Sequence, residues 1–295
     1  MRHIRNDHNI EISGSQAKRD LLEMGYYHGY KAYRFYKTPN NPFKLTSFKQ
    51  VVAIYEFDNA LKKAFYQPIM KFETTMKNVV LDHLVSGSKD TIYLSQVFEQ
   101  HLDGYREIDK TNDAREYNRV MGQRLKLRSD FAREASMHYT KSQIVKHFVN
   151  NEEAMPIWAY FEIIMLGTFG EFVKLLNTAT KLEITRKIGT HNASVDSGGK
   201  FLEQHIFAIK DLRNAVAHNA IVFEKSVKFS SILDYAAILV YYAKTTGASK
   251  IEIKEFITEL ERAIEKLVME IDDIEVVFKT VGSDYPHKLR RLMDY

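Results

Sequence analysis

Apolar residues recur at steps of three and four through Ile54, Phe57, Leu61, Phe65, Ile69, Phe72, Met76 and Val80. That spacing places them along one face of a long helix. The polar side of the same run carries Asp58/Lys62 and Glu73/Lys77, both at the separation that pairs opposite charges across one turn. Pro68 inside the run predicts a kink or a division, because proline removes a donor and crowds the preceding turn.

Comparable patterns predict helices over 15–35, 113–138, 141–150, 200–218, 229–244 and 252–279. Between Met155 and Asn177 the apolar density predicts two packed helices broken at Gly167. Pro156 suits a first helical turn, and Thr168 with Glu171 has the spacing of a capping box for the second helix. The stretches 38–43, 86–88 and 186–199 read as loops. Residues 1–14 read as a flexible extension and the last nine, HKLRRLMDY, as a basic tail. The expected fold is all-α, a multi-helix bundle in a single domain over 15–295, with 91–150 as a candidate sub-lobe.

Composition points the same way. Thirteen glycines and five prolines in 295 residues leave few helix breakers. The absence of cysteine excludes disulfides, thiolate zinc sites and thiol nucleophiles, and fits a reducing compartment. No apolar run approaches the length of a membrane span and the N-terminus lacks a signal-peptide core, so the expected location is the cytoplasm. A formal net charge of +4 permits a polyanionic partner without demanding one. Phosphate-cradling glycine loops, HExxH spacing and a nucleophile elbow are all missing, so neither cofactor nor metal is expected.

The chemistry concentrates in IKDLRNAVAHNA, residues 209–220, where Arg213 and His218 are separated by four residues and Asn214 follows the arginine. Cutting RNA without a metal requires a proton taken from a 2′-hydroxyl, a proton given to the leaving 5′-oxygen, and neutralisation of charge on phosphorus. Histidine can act as acid or base near neutrality, and arginine grips phosphate oxygens through its planar fork. Asn214, one turn before His218, could orient the imidazole. On an ideal helix, however, Arg213 lies about 40° from the centre of the stripe Leu202, Ile206, Ile209, Leu212, Val216, and His218 about 180° from it. Either the helix ends before His218, or Arg213 reaches round from the edge of the core.

The segment 209–220 resembles the Arg-x(4–6)-His signature of HEPN ribonucleases. Three further stretches, in order, resemble the abortive-infection (Abi) family, which is related to them: the aromatic run GYYHGYKAYRF near residue 30, IYEFDNALKKAF…KFETTMKNVV over Ile54–Val80, and MPIWAYFEIIMLGTFGEF over Met155–Phe172. The resemblance covers roughly residues 20–225. It implies a HEPN-like helical bundle and a metal-independent endoribonuclease of phage defence. Arg213, Asn214 and His218 would be catalytic in a composite site of a homodimer, and the products would end in 2′,3′-cyclic phosphate. The chain departs from the family at 219–223, where a second His, an Arg and a Trp are replaced by Asn-Ala-Ile-Val-Phe, and at Lys77, where arginine is usual.

Supporting candidates are Glu73, Lys77 and His83, the last two within KNVVLDH, which echoes the first motif. Arg115, Arg119, Arg124, Lys126, Arg128 and Arg133 could track an RNA backbone. Each has a plainer reading: an intrahelical ion pair for Glu73/Lys77, an ordinary amphipathic helix for 77–83, a solvated face for the arginines, and a helix-end histidine for His218. The aromatic run at Tyr26–Tyr36 reads as core first and base-stacking surface second. Two other functions remain open: a non-catalytic module that holds a small RNA and dimerises through the Arg/His helix, and a protein–protein adaptor.

Overall fold

The computed structural model describes residues 1–35, 43–86, 88, 90–106, 108–223 and 231–294. Among these the regular structure is entirely helical, as the composition predicts. In order come α1 (Arg2–His8), α2 (Gly14–Met24), a π-helical turn (Tyr26–Lys31), α3 (Ala32–Arg34), α4 (Phe48–Val85), α5 (Leu94–Gln100), α6 (Ala114–His138) and α7 (Gln143–Asn150). They are followed by α8 (Ile157–Ile163), α9 (Leu166–Leu175), α10 (Thr178–Ile188), α11 (Lys200–Ala217), α12 (Ile232–Thr245), α13 (Lys250–Glu270), α14 (Ile274–Val281) and α15 (Tyr285–Met293). The chain divides into two compact units, 1–70 with 211–295, and 71–210.

In the first unit the apolar face of α4 is buried as its spacing predicts: Ile54, Phe57, Leu61, Phe65 and Ile69 are nearly inaccessible to solvent. Pro68 does not divide the helix, which runs unbroken from Phe48 to Val85. The aromatic run forms a π-helical turn in which Tyr30 N–H donates to Gly25 O at 2.9 Å. Gly29 permits it, since a Cβ there would lie 2.3 Å from Met24 O. Tyr30 and Tyr33 are core residues and Tyr27 is exposed. Tyr36 and the proline loop at 38–42 lie outside the described residues.

Three expectations about this unit are corrected. Residues 1–14 are not a loose extension: α1 forms, and Ile4, Ile10 and Ile12 are buried. The apolar anchors outweigh the polar composition. The predicted helix 252–279 is two helices, because Asp273 accepts Glu275 N–H and starts α14 afresh. The basic tail is α15, which packs on α12 and α13 and buries Leu289 and Leu292. The predicted first residues of α12, 229 and 230, lie outside the described residues.

In the second unit α6 packs on α8 and α9 around Phe131, Phe161, Phe169 and Phe172. The break between α8 and α9 falls at Ile164–Met165, and Gly167 is already inside α9. The expected capping box is absent. Instead the Glu134 carboxylate, 1% exposed, accepts Met165 N–H at 2.6 Å and the buried Thr168 hydroxyl. A carboxylate from a neighbouring helix thus satisfies the start of α9, where the helix dipole favours negative charge. Gly170 lets α9 approach α11: a Cβ there would stand 3.1 Å from the Phe207 ring.

Candidate functional site

α11 stops just before His218, so Arg213 and His218 keep up to that point the angular separation that their spacing predicts. Its last helical residue is Ala217. Ala220 N–H then donates to Ala215 O at 2.9 Å and Asn219 N–H to Val216 O at 3.4 Å, with Asn219 at φ 52°. This is a Schellman turn with asparagine in the left-handed position that glycine more often fills. His218 is therefore the residue at which the helix ends, and its side chain is exposed. Arg213 is half-buried, and its Nη1 donates to the Asn214 Oδ1 at 3.4 Å. His218 N–H donates to Asn214 O at 3.0 Å. The three residues thus occupy the last turn of one helix, arginine toward the core and histidine toward solvent.

What fixes this turn is a buried acid. Asp58 of α4 is 0% exposed. It accepts backbone N–H donors from Val222 at 2.7 Å and Phe223 at 3.0 Å, and the Tyr33 hydroxyl at 2.8 Å. Lys62, one turn along α4, lies 2.9 Å from Asp58 Oδ2 and donates to Asn219 Oδ1 at 2.8 Å. The hydroxyl of Tyr33 and the amide oxygen of Asn59 stand 3.4 Å from the same ammonium. Phe223 packs against Tyr33 and Phe57. Burial, followed by the neighbouring Asp58, pushes the Tyr33 phenol well above its ordinary range, which keeps it a donor.

The Asp58/Lys62 pair is formed as its spacing predicts, but it is not on the polar side of the helix. The signal was present: Asp58 follows Ile54 by four and precedes Leu61 by three, within the spacing of the apolar face. Tyr33 and Asn219 carried no comparable mark.

The remaining candidates lie in the second unit. Lys77 pairs with Glu73 at 2.9 Å and donates to Ile164 O at 2.6 Å, so it closes the end of α8. His83 lies 3.5 Å from Glu183 and its ring packs edge-on against His101 at 6.0 Å. Burial lowers the pKa of both histidines. On α6, Arg124 is 8% exposed and donates to the carbonyls of Phe98 and Asp103. Arg128 lies 5.0 Å over the Phe98 ring. Arg115, Arg119, Lys126 and Arg133 are exposed and fall within about 40° of one another on the helix, along about 27 Å of its axis. Arg119 and Arg133 each pair with an acid on their own helix, Glu116 and Asp130.

Among the described residues no group of three or more His, Asp or Glu side chains could hold a metal ion, and no helix is long and apolar enough to cross a membrane. The arrangement exposes one imidazole and one carboxamide beside a half-buried guanidinium, at a helix end that Lys62 holds through Asn219.

Fold and turn together define an all-α protein with an exposed histidine on a pinned helix end. The chain belongs to the family of Abi-like proteins, whose model matches residues 19–224 and so includes Tyr33, Asp58, Lys62, Arg213, His218 and Phe223. That membership associates it with abortive infection, a form of phage defence. No curated protein and no solved structure matches the chain.

Proposed function

We propose that this protein is a metal-independent endoribonuclease of abortive infection. His218 moves the proton, Arg213 holds the scissile phosphate, and Asn214 orients the two. The observation that carries the reading is the exposure of His218 at the helix end that also carries Arg213 and Asn214. Rigid placement of an acid/base group near a phosphate clamp is the requirement of such chemistry. A single imidazole cannot both take and give a proton in one step. A second copy of the same turn, brought across a two-fold axis, supplies the partner, and the working form is a homodimer.

The exposed row Arg115, Arg119, Lys126 and Arg133 supports an RNA ligand, because its length matches several phosphates of an extended strand. The same row fits the second reading, a module that holds a small RNA without cutting it.

RNA incubated in EDTA with the wild-type protein and with His218→Ala separates the two. Cleavage leaving 2′,3′-cyclic phosphate ends, reduced at least ~100-fold by the substitution, is expected. Equal cutting by both proteins, or tight binding without cutting by either, overturns the nuclease reading. A monomeric mass in solution for an active wild type removes the dimer.

A further inference from the structure

We infer that Lys62 and Asn219 are positioning residues: a link from the buried Asp58 through Lys62 to the Asn219 carboxamide sets the orientation of His218. The inference rests on the nuclease reading only for the chemistry being positioned, since the link itself is geometric.

The argument begins with the number of donors. An ammonium has three protons and no acceptor. Lys62 has Asp58 Oδ2 at 2.9 Å and Asn219 Oδ1 at 2.8 Å, with the Tyr33 hydroxyl and Asn59 Oδ1 both at 3.4 Å. Its side chain is mostly buried. With its protons engaged in this way, Lys62 is committed to the fold and does not clamp phosphate. What it holds is the side chain of the residue after His218, at the one non-glycine position of the turn with positive φ.

Backbone and side chain of this segment are anchored separately. Asp58 fixes the backbone at Val222 and Phe223, and Lys62 fixes the turn at Asn219. Between these anchors and the last helical bond lies His218, whose own N–H is held by Asn214 O. Asparagine at 219 therefore serves two purposes, of which the left-handed backbone is only one. Glycine would meet that first requirement without strain and fail the second. This difference makes the link separable from the turn.

The experiment uses Asn219→Gly, Asn219→Asp and Lys62→Met in the full-length protein, each read in two ways. The first is kcat and KM for RNA cleavage in EDTA. The second is the chemical shift and line width of the His218 Cε1–H resonance at fixed pH, which does not depend on activity. For Asn219→Gly a thermal midpoint near that of the wild type is expected. The His218 resonance should be displaced or broadened, and kcat should fall about 5- to 20-fold with KM unchanged, the loss expected of misplacement rather than weaker binding. Lys62→Met should move the same resonance, and Asn219→Asp, which retains an acceptor for Lys62, should keep the resonance and kcat near their wild-type values.

A His218 resonance and kcat that stay at wild-type values in both Asn219→Gly and Lys62→Met overturn the inference. A moved resonance in a protein that never cuts RNA upholds the positioning link and refutes the nuclease reading alone.

Discussion

Asp58 accepts the backbone N–H of Val222 at 2.7 Å across 164 positions of sequence. Two distant segments of the first unit are thereby joined through a fully buried charge. A carboxylate taken out of water is tolerable only with its lone pairs satisfied. Here Lys62, Tyr33 and two backbone donors satisfy them. Asp58→Ala leaves those donors and the ammonium without their acceptor, and should cost about 3–5 kcal/mol in urea unfolding. Tyr33→Phe, which removes one hydroxyl, should cost about 1–2 kcal/mol. A loss below ~1 kcal/mol for Asp58→Ala would mean that water replaces the acid freely.

Glu134 plays the corresponding role in the second unit, holding Met165 N–H and Thr168 at the start of α9. Glu134→Ala should destabilise by about 2–4 kcal/mol and Glu134→Gln by less, since the amide keeps one acceptor. If the two substitutions cost the same in denaturant titrations, the carboxylate's charge and second oxygen contribute nothing.

Acid should weaken the protein through His205. Burial lowers its pKa from the usual 6.5 to about 4, against the opposing pull of Asp196. Between those values the unfolded chain binds the proton and the native state does not. Stability therefore falls as pH drops from 6.5 towards 4, and the loss is complete below that, amounting to up to roughly 3 kcal/mol. His205→Phe can keep the stacking on Phe201 and remove the titration. Its melting temperature should change less between pH 6.5 and 4.5 than that of the wild type. Parallel curves would remove the assignment to His205 and turn attention to other groups, the half-buried His83 and His101 among them.

RNA binding should separate the cations of α6. Alanine at Arg115, Lys126 or Arg133 should weaken binding and reduce the salt slope by about 1 for each phosphate that is no longer neutralised. Folding should stay intact at Arg115 and Lys126, whereas Arg133→Ala also strips the cation from the buried Asp130. Arg124→Ala should instead lower the unfolding midpoint, because it strips donors from the carbonyls of Phe98 and Asp103. A salt slope unchanged in all three exposed variants would place the RNA elsewhere.

Much of the helical framework was legible in the chain, although α1, α5, α10 and α15 were not. The segments read as helices match α6, α7 and α11 to within two residues. The apolar spacing found the middle of α4 but neither its ends nor its passage through Pro68, because local spacing records a buried stripe and not where it stops. The sequence also marked Arg213, Asn214 and His218 as candidates for chemistry. Folding in three dimensions was needed to show where α11 ends, that Arg124 and Lys77 close the ends of other segments, that Glu134 rather than Thr168 starts α9, and that Asp58 holds the backbone at Val222 and Phe223. Each of those outcomes depends on a polar atom meeting a partner from a distant stretch of chain. Helical spacing records which face of a segment is buried, but not which backbone carbonyl or N–H will stand opposite it.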